Sequence, residues 1–287
     1  MKKLVLAVMV LALCGLSFAE ARSGASVNNQ SEAGTLAPDN PQFSFSPATC
    51  AFTFTSGAGD TFLKYCVTAN GNVTEFQTPE GHEHIAVGQI GEGYGVCDLG
   101  NPSSPVDYFD YAEFGDSASW GQAAVLSQNA TSVKIARTTR DGVWTLTQAF
   151  TQVAGKAPSV KIDMALTNNS HVAREVVLLR YADADADGSL SNDAYATANS
   201  AFAWNRRDPK TRSGFGVMLQ GSPFAPDPRS GPFAFILFAG DGEPGCDPRP
   251  FGFSDPMNQD LAAFGMAYDI VVPAGRSKTV TVSYKGL

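Results

Sequence analysis

The sequence predicts an all-β fold, a large antiparallel two-sheet β-sandwich with almost no helix. Short runs of β-branched and aromatic residues recur along the chain, each bounded by Gly, Pro, Asn or Asp. Two of the boundaries are the dipeptides Asn70-Gly71 and Asp141-Gly142, the strongest short hairpin signals; the second suits a type I′ turn. Charged residues make up only 17%, below the roughly 25% of an average globular chain, while Thr, Ser, Asn and Gly are frequent. Such a composition is that of an exported β protein.

Taken in order, residues 1–21 form a signal peptide. Lys2 and Lys3 precede an apolar run from Leu4 to Leu16, and Ala19-Glu20-Ala21 supplies a small-x-small cleavage pattern. The run is shorter than the ~20 residues of a membrane span, and nothing later in the chain is longer. Residues 22–41, rich in Ser, Asn, Gly and Pro, read as a flexible leader, and 42–287 as a single sandwich domain. The implied location is secreted, either extracellular or periplasmic. A formal net charge of -8 argues against nucleic acid or an anionic membrane as partner. Oligomeric state is not encoded in these features.

Within the domain, Phe62 to Val67 and Val73 to Phe76 flank Asn70-Gly71 as one hairpin. Val133 to Thr139, Val143 to Val153, Val160 to Leu166 and Val176 to Tyr181 follow as an antiparallel meander of four strands. Further strands are expected at Phe215 to Leu219, Phe233 to Phe238, Ala267 to Val272 and Thr279 to Tyr284. The one helical candidate is a short turn capped by Asp255, with Pro256 at its first position, running toward Leu261 and Phe264.

Cys14 leaves with the signal, so four cysteines remain in an oxidising setting. Three pairings are open. Proximity of two short apolar strands favours Cys66 with Cys97, leaving Cys50 for Cys246. No CxxC spacing points to zinc.

Asp183-x-Asp185-x-Asp187-Gly188 matches the first half of a calcium-loop template, with oxygens at positions 1, 3 and 5 and Gly at the sharp turn. Ser189, Ser191 and Asp193 extend the candidate ligand set for a structural Ca2+. Position 12 is Ala194 and the flanks are strands, so this is not an EF-hand; the alternative is a solvated acidic turn. His82-Glu83-His84 places two imidazoles on one face of an extended backbone, with Glu92 or Asp98 as oxygen donors for a metal. Surface hydrogen bonding is the commoner use of such a pair.

No G-x-S-x-G elbow is present, so no catalytic residue is assigned. Acids from Glu80 to Asp116 could supply a carboxylate pair for glycoside chemistry, a separation that sequence does not report. Aromatics interleave with them, and Tyr108, Tyr111 and Trp120 are the candidate ring faces for a glycan, the alternative being that they fill the core. Arg206, Arg207, Lys210 and Arg212 form the chain's basic cluster, read as a solvated loop.

The run from Val160 to Ser170, the strand Val176 to Tyr181 and the terminal Val272-Pro273-Ala274-Gly275 resemble the two-sheet supersandwich of galactose-mutarotase-like proteins. The resemblance implies a large antiparallel sandwich and a tendency to handle carbohydrate. Where that group places a catalytic His, this chain has Arg180-Tyr181, so epimerase activity is not implied. The resulting expectation is a secreted, non-catalytic binding or structural protein, glycan-directed and held by calcium and disulfides. The alternative is a carbohydrate-active enzyme of the same architecture.

Overall fold

Strands β1 (Cys50–Ser56), β2 (Leu63–Thr68) and β3 (Val73–Gln77) form a three-stranded antiparallel sheet. The expected hairpin turn lies between β2 and β3, with Gly71 at φ +92 and its N–H bonded to the Thr68 carbonyl. Next come β4 (Glu92–Asp98), β5 (Val106–Tyr111), β6 (Gly115–Asp116), β7 (Ala124–Gln128), β8 (Ser132–Thr138), β9 (Trp144–Val153) and β10 (Ser159–Asn168). The chain continues through β11 (Arg174–Asp183), β12 (Ser191–Ala196), β13 (Ser200–Trp204) and β14 (Gly216–Gly221). It ends with β15 (Pro232–Phe238), β16 (Met257–Asp260), β17 (Ala262–Val272) and β18 (Ser277–Gly286). This computed structural model describes residues 49–85, 91–100, 105–112, 115–189, 191–205, 214–222, 231–238, 246, 257–260 and 262–287. The signal and leader segments and the basic cluster at 206–212 lie outside the described residues.

Two large antiparallel sheets make the sandwich. One has nine strands in the order β16-β12-β13-β14-β18-β10-β9-β8-β7, the other six in the order β15-β17-β11-β4-β5-β6. Strand β10 shows why: Val160, Ile162, Met164 and Leu166 are buried while Lys161, Asp163, Ala165 and Thr167 alternate outward. Those four residues meet Val176, Leu178, Met266 and Ile270 of the opposite sheet in one continuous core. Each contributes roughly 1.5–3 kcal/mol by leaving water. The three-stranded sheet adds Leu63, Tyr65, Val73 and Phe76 to the same core.

The expected four-strand meander stops after three. Strands β8, β9 and β10 pair in sequence, but β11 crosses to the other sheet, between β17 and β4, and β18 takes the place beside β10. Val176-Val177-Leu178-Leu179 is apolar without alternation, and both of its faces are covered. Val177 and Leu179 sit in a second cluster with Cys97, Phe109, Tyr111 and Phe235 on the far face of the six-stranded sheet. The Asp141-Gly142 turn is also not type I′: only Gly142 has positive φ, at +75, and Asp141 Oδ1 accepts the Val143 N–H at 3.0 Å. The helical candidate's Asp255, Pro256 and Leu261 lie outside the described residues, and 257–260 and 262–272, including Phe264, are strands β16 and β17. Among the described residues no helix is long and apolar enough to cross a membrane.

The disulfides pair differently from expectation. Cys50 joins Cys66 and Cys97 joins Cys246, with Cα separations of 5.6 and 4.9 Å. Cys66 and Cys97 belong to different sheets, whereas Cys66 lies across the β1–β2 ladder from Thr53, within reach of Cys50. Cys97 points into the second cluster, against which Cys246 packs.

Candidate functional site

The sandwich interior is unusually polar, and its polar groups are spent on one another. Arg180 of β11 and Glu92 of β4, both fully buried, form a two-pronged ion pair: Arg180 Nε donates to Glu92 Oε1 and Nη2 to Oε2 at 2.7 Å. Gln148 Oε1 accepts from Arg180 Nη1 at 2.6 Å, and Tyr284 donates to Glu92 at 2.8 Å. Burial pushes the Glu92 pKa up, with the Arg180 charge as the chief opposing influence. Burial works against the guanidinium too, but Glu92 outweighs it and holds Arg180 protonated. Four donors converge on the Glu92 oxygens, so the ionised pair is the form that fits the geometry.

A second buried pair joins Asp110 of β5 to Arg137 of β8, whose Nη1 also donates to Tyr94 Oη at 3.0 Å. The turn Asn70-Gly71-Asn72 enters between these pairs. Asn72 Nδ2 donates to the Glu92 and Asp110 carbonyls at 3.1 and 3.0 Å, Gly71 O accepts from Arg180, and the Val73 N–H reaches Glu92 Oε2 at 2.6 Å. A side chain at position 71 would be strained by the φ of +92 and would displace the Gln148 amide, since a Cβ there would stand 2.5 Å from Gln148 Nε2. Glu92 and Asp110, two of the acids between Glu80 and Asp116, are thereby held in buried ion pairs.

The rings expected to face a glycan are in the core. Tyr108, Tyr111 and Trp120 are 4%, 0% and 2% exposed, which corrects the expected platform. Tyr94 meets Trp120 edge-on at 5.5 Å and Arg137 lies over its ring, while the Tyr108 hydroxyl donates to Asp141. Alternation on β5 turns Tyr108 into the sandwich interior with Trp120, while Tyr111 is buried in the second cluster on the far face of the six-stranded sheet.

The acidic run and the paired histidines come together at one rim of the sandwich. Residues 82–85 lie beside the 184–188 turn through an Ile85–Ala184 bridge and a Gly188 N–H to Glu83 O bond. His82 Nδ1 lies 2.6 Å from Asp187 Oδ1, and its ring stacks on Phe215 at 3.6 Å. His84 is buried with both nitrogens engaged: Nε2 donates to Thr78 O, and Nδ1 accepts the Asp187 N–H. That fixes one neutral tautomer, and burial lowers its pKa further. Neither histidine is arranged with Glu92 or Asp98 as a metal pair.

The side chains of the candidate calcium loop are spread over several elements. Among the described residues no three His, Cys, Asp or Glu side chains gather to hold a metal. Asp183 sits on β11 of the six-stranded sheet, Asp187 is bonded to His82, and Asp193 stands opposite Trp204 in the nine-stranded sheet. Ser189 uses its carbonyl to accept from Asn192, and Ser191 opens β12. Gly188 does adopt the expected left-handed turn, with φ +70.

The acidic run carries a pH signature. Burial, then the neighbouring Asp185, pushes Asp183 up to about 7, and burial pushes Asp185 to about 6. An acid whose folded pKa is raised favours the folded state below its ordinary value, and that stability is lost as pH rises through the folded pKa. Stability should therefore fall between about pH 4 and pH 7. Asp183→Asn is expected to be more stable than the parent at pH 8, with a flatter profile; denaturant titration at pH 4.5 and 8 measures both. Equal stability of the two proteins at pH 8 would refute the assignment.

The outer face of the nine-stranded sheet presents what the sequence reading missed. Tyr195 of β12, Phe202 of β13 and Trp204 stand outward, half-buried, while Ala194, Ala196, Ala201 and Ala203 point into the core. Ring centroids are 5.4 Å apart for Tyr195–Phe202 and 5.8 Å for Phe202–Trp204, both tilted. Asp193 lies directly across from Trp204. The signal was present as Ala-Tyr-Ala and Ala-Phe-Ala-Trp: small residues inside, rings outside.

No family model and no curated protein matches the chain. Solved structures do. A bacterial glucoamylase complexed with acarbose superposes with a TM-score of 0.52 at 11% identity, covering 85% of this chain and 33% of that one. The chain thus spans about a third of the glucoamylase's length. A galactose mutarotase-like protein from Lactobacillus casei (TM-score 0.49, 9% identity, 82% of this chain and 100% of that one) is also similar. So is a putative aldose 1-epimerase from Escherichia coli (TM-score 0.45, 12% identity, 82% and 99%). The likeness is one of fold. It agrees with the resemblance read from Val160 to Tyr181, and the residues of the site must be argued on their own chemistry.

Proposed function

We propose that this chain is an exported, non-catalytic carbohydrate-binding β-sandwich. The observation that carries the proposal is the outward row Tyr195, Phe202 and Trp204, three apolar ring faces with the Asp193 carboxylate beside them. Pyranose rings present C–H faces that stack on aromatics and hydroxyls that bond carboxylates, which is the chemistry this row offers. Support for the ligand class comes from the name of a protein sharing the fold, a bacterial glucoamylase complexed with acarbose. Support for a non-catalytic role comes from Glu92 and Asp110, whose carboxylates are held in buried ion pairs. A glycan array on the mature protein is expected to give discrete hits. Trp204→Ala should weaken them about tenfold, the equivalent of losing one stacking contact of roughly 1.4 kcal/mol. An empty array, or hits indifferent to Trp204→Ala, would reject the proposal.

One observation favours the enzyme alternative, the His82–Asp187 pair. A carboxylate bonded to Nδ1 orients the ring and leaves Nε2 as a base. Turnover of a glycoside or aldose that disappears in His82→Ala would move the enzyme reading to first place.

A further inference from the structure

The strand registers extend the aromatic row into a path. Tyr195, Phe202, Met218 and Lys285 are successive cross-strand neighbours on β12, β13, β14 and β18. One step along the strands, Gln220, Ser283, Lys161, Thr151 and Ser132 are likewise opposite one another on β14, β18, β10, β9 and β8. Lys285 Nζ donates to Gln220 Oε1 at 2.7 Å, joining the two rows. From Tyr195 to Ser132 the path crosses six strand intervals, about 29 Å at ~4.8 Å each. All of these side chains are on the solvent side, none fully buried.

The chemistry of the path is uniform in one respect. It offers hydroxyls and an amide, and its two lysines are already engaged, Lys285 by Gln220 and Lys161 by Asp163 at 2.8 Å. Asp163 in turn accepts from Thr281. No block of one charge sign is left along it, which ill suits nucleic acid or an anionic surface. It suits a neutral, polyhydroxylated ligand, and its length exceeds any single sugar ring.

We infer that the ligand is an extended polysaccharide chain lying across the strands, anchored on Tyr195, Phe202 and Trp204 and tracking the hydroxyl row toward Ser132. This rests on the carbohydrate-binding proposal and sharpens it from a sugar to a polymer. Titration of the mature protein with α-1,4- and β-1,4-linked glucose oligomers of one to eight units tests it. Affinity for one linkage should rise with length and level off once the path is filled. Thr151→Val with Ser283→Ala removes two distant hydroxyls without altering strand shape or the aromatic row. It should weaken the longest oligomer roughly tenfold, as two hydrogen bonds of ~0.7 kcal/mol each, and leave the shortest binder unchanged. Affinity independent of length, or long-chain binding indifferent to Thr151→Val with Ser283→Ala, overturns the inference while leaving a local sugar site. Absence of binding at every length, together with an empty glycan array, rejects the parent proposal.

Discussion

Replacing Arg180 with methionine should cost the folded protein about 3–5 kcal/mol, because it leaves the Glu92 carboxylate buried and without its counter-charge. Both side chains are fully buried, and the guanidinium also serves Gln148 and the Gly71 carbonyl. For a domain of this size that loss lowers the melting temperature by on the order of 10 °C. The double change Arg180→Met with Glu92→Leu removes both charges and should recover much of it, since an apolar pair of similar volume is often neutral. Chemical denaturation of parent, two single variants and the double variant gives the coupling directly. A single variant within 1 kcal/mol of the parent would mean that water reaches Glu92 and that the pair is not a sealed one.

Loss of the Cys97–Cys246 disulfide should have an effect of similar size. The bond closes a loop with a sequence separation of 149, against 16 for Cys50–Cys66. In the chain-entropy model, which is one account among several, the longer loop is worth about 5 kcal/mol and the shorter about 3. Cys97→Ser with Cys246→Ser is therefore expected to destabilise more than Cys50→Ser with Cys66→Ser. Non-reducing peptide mapping should find both linkages. A Cys66–Cys97 peptide, or a smaller loss for the long loop than for the short one, would contradict the arrangement.

Strand positions were legible in the sequence because alternation is a local property, as along Trp144 to Thr151 or Val160 to Leu166. Sheet membership was not. Nothing within Val176 to Tyr181 except the lack of alternation says that β11 leaves β10 and pairs with β17, some 90 residues on. The disulfide pairing failed for the same reason, since it depends on which sheet holds Cys97. The candidate site was misplaced by a different route. Tyr108, Tyr111 and Trp120 stand among acids, which left a glycan face and the core both open; all three are buried, and Asp110 and Arg137 neutralise each other inside. The rings that do face outward alternate with alanines, an unremarkable pattern until β12 and β13 are seen side by side. The closeness of His82 to Asp187, 105 positions apart, follows from tertiary packing alone.

The seat of the Asn70-Gly71-Asn72 turn bears on how the molecule is put together. Two ion pairs cannot be sealed between the large sheets until the turn supplies its amides and carbonyls, because charges stripped of water with unfilled hydrogen bonds are costly. The N-terminal hairpin therefore acts as a keystone. A chain trimmed through β1–β3 would lose those bonds and leave two buried ion pairs facing a polar hollow at the centre of the sandwich.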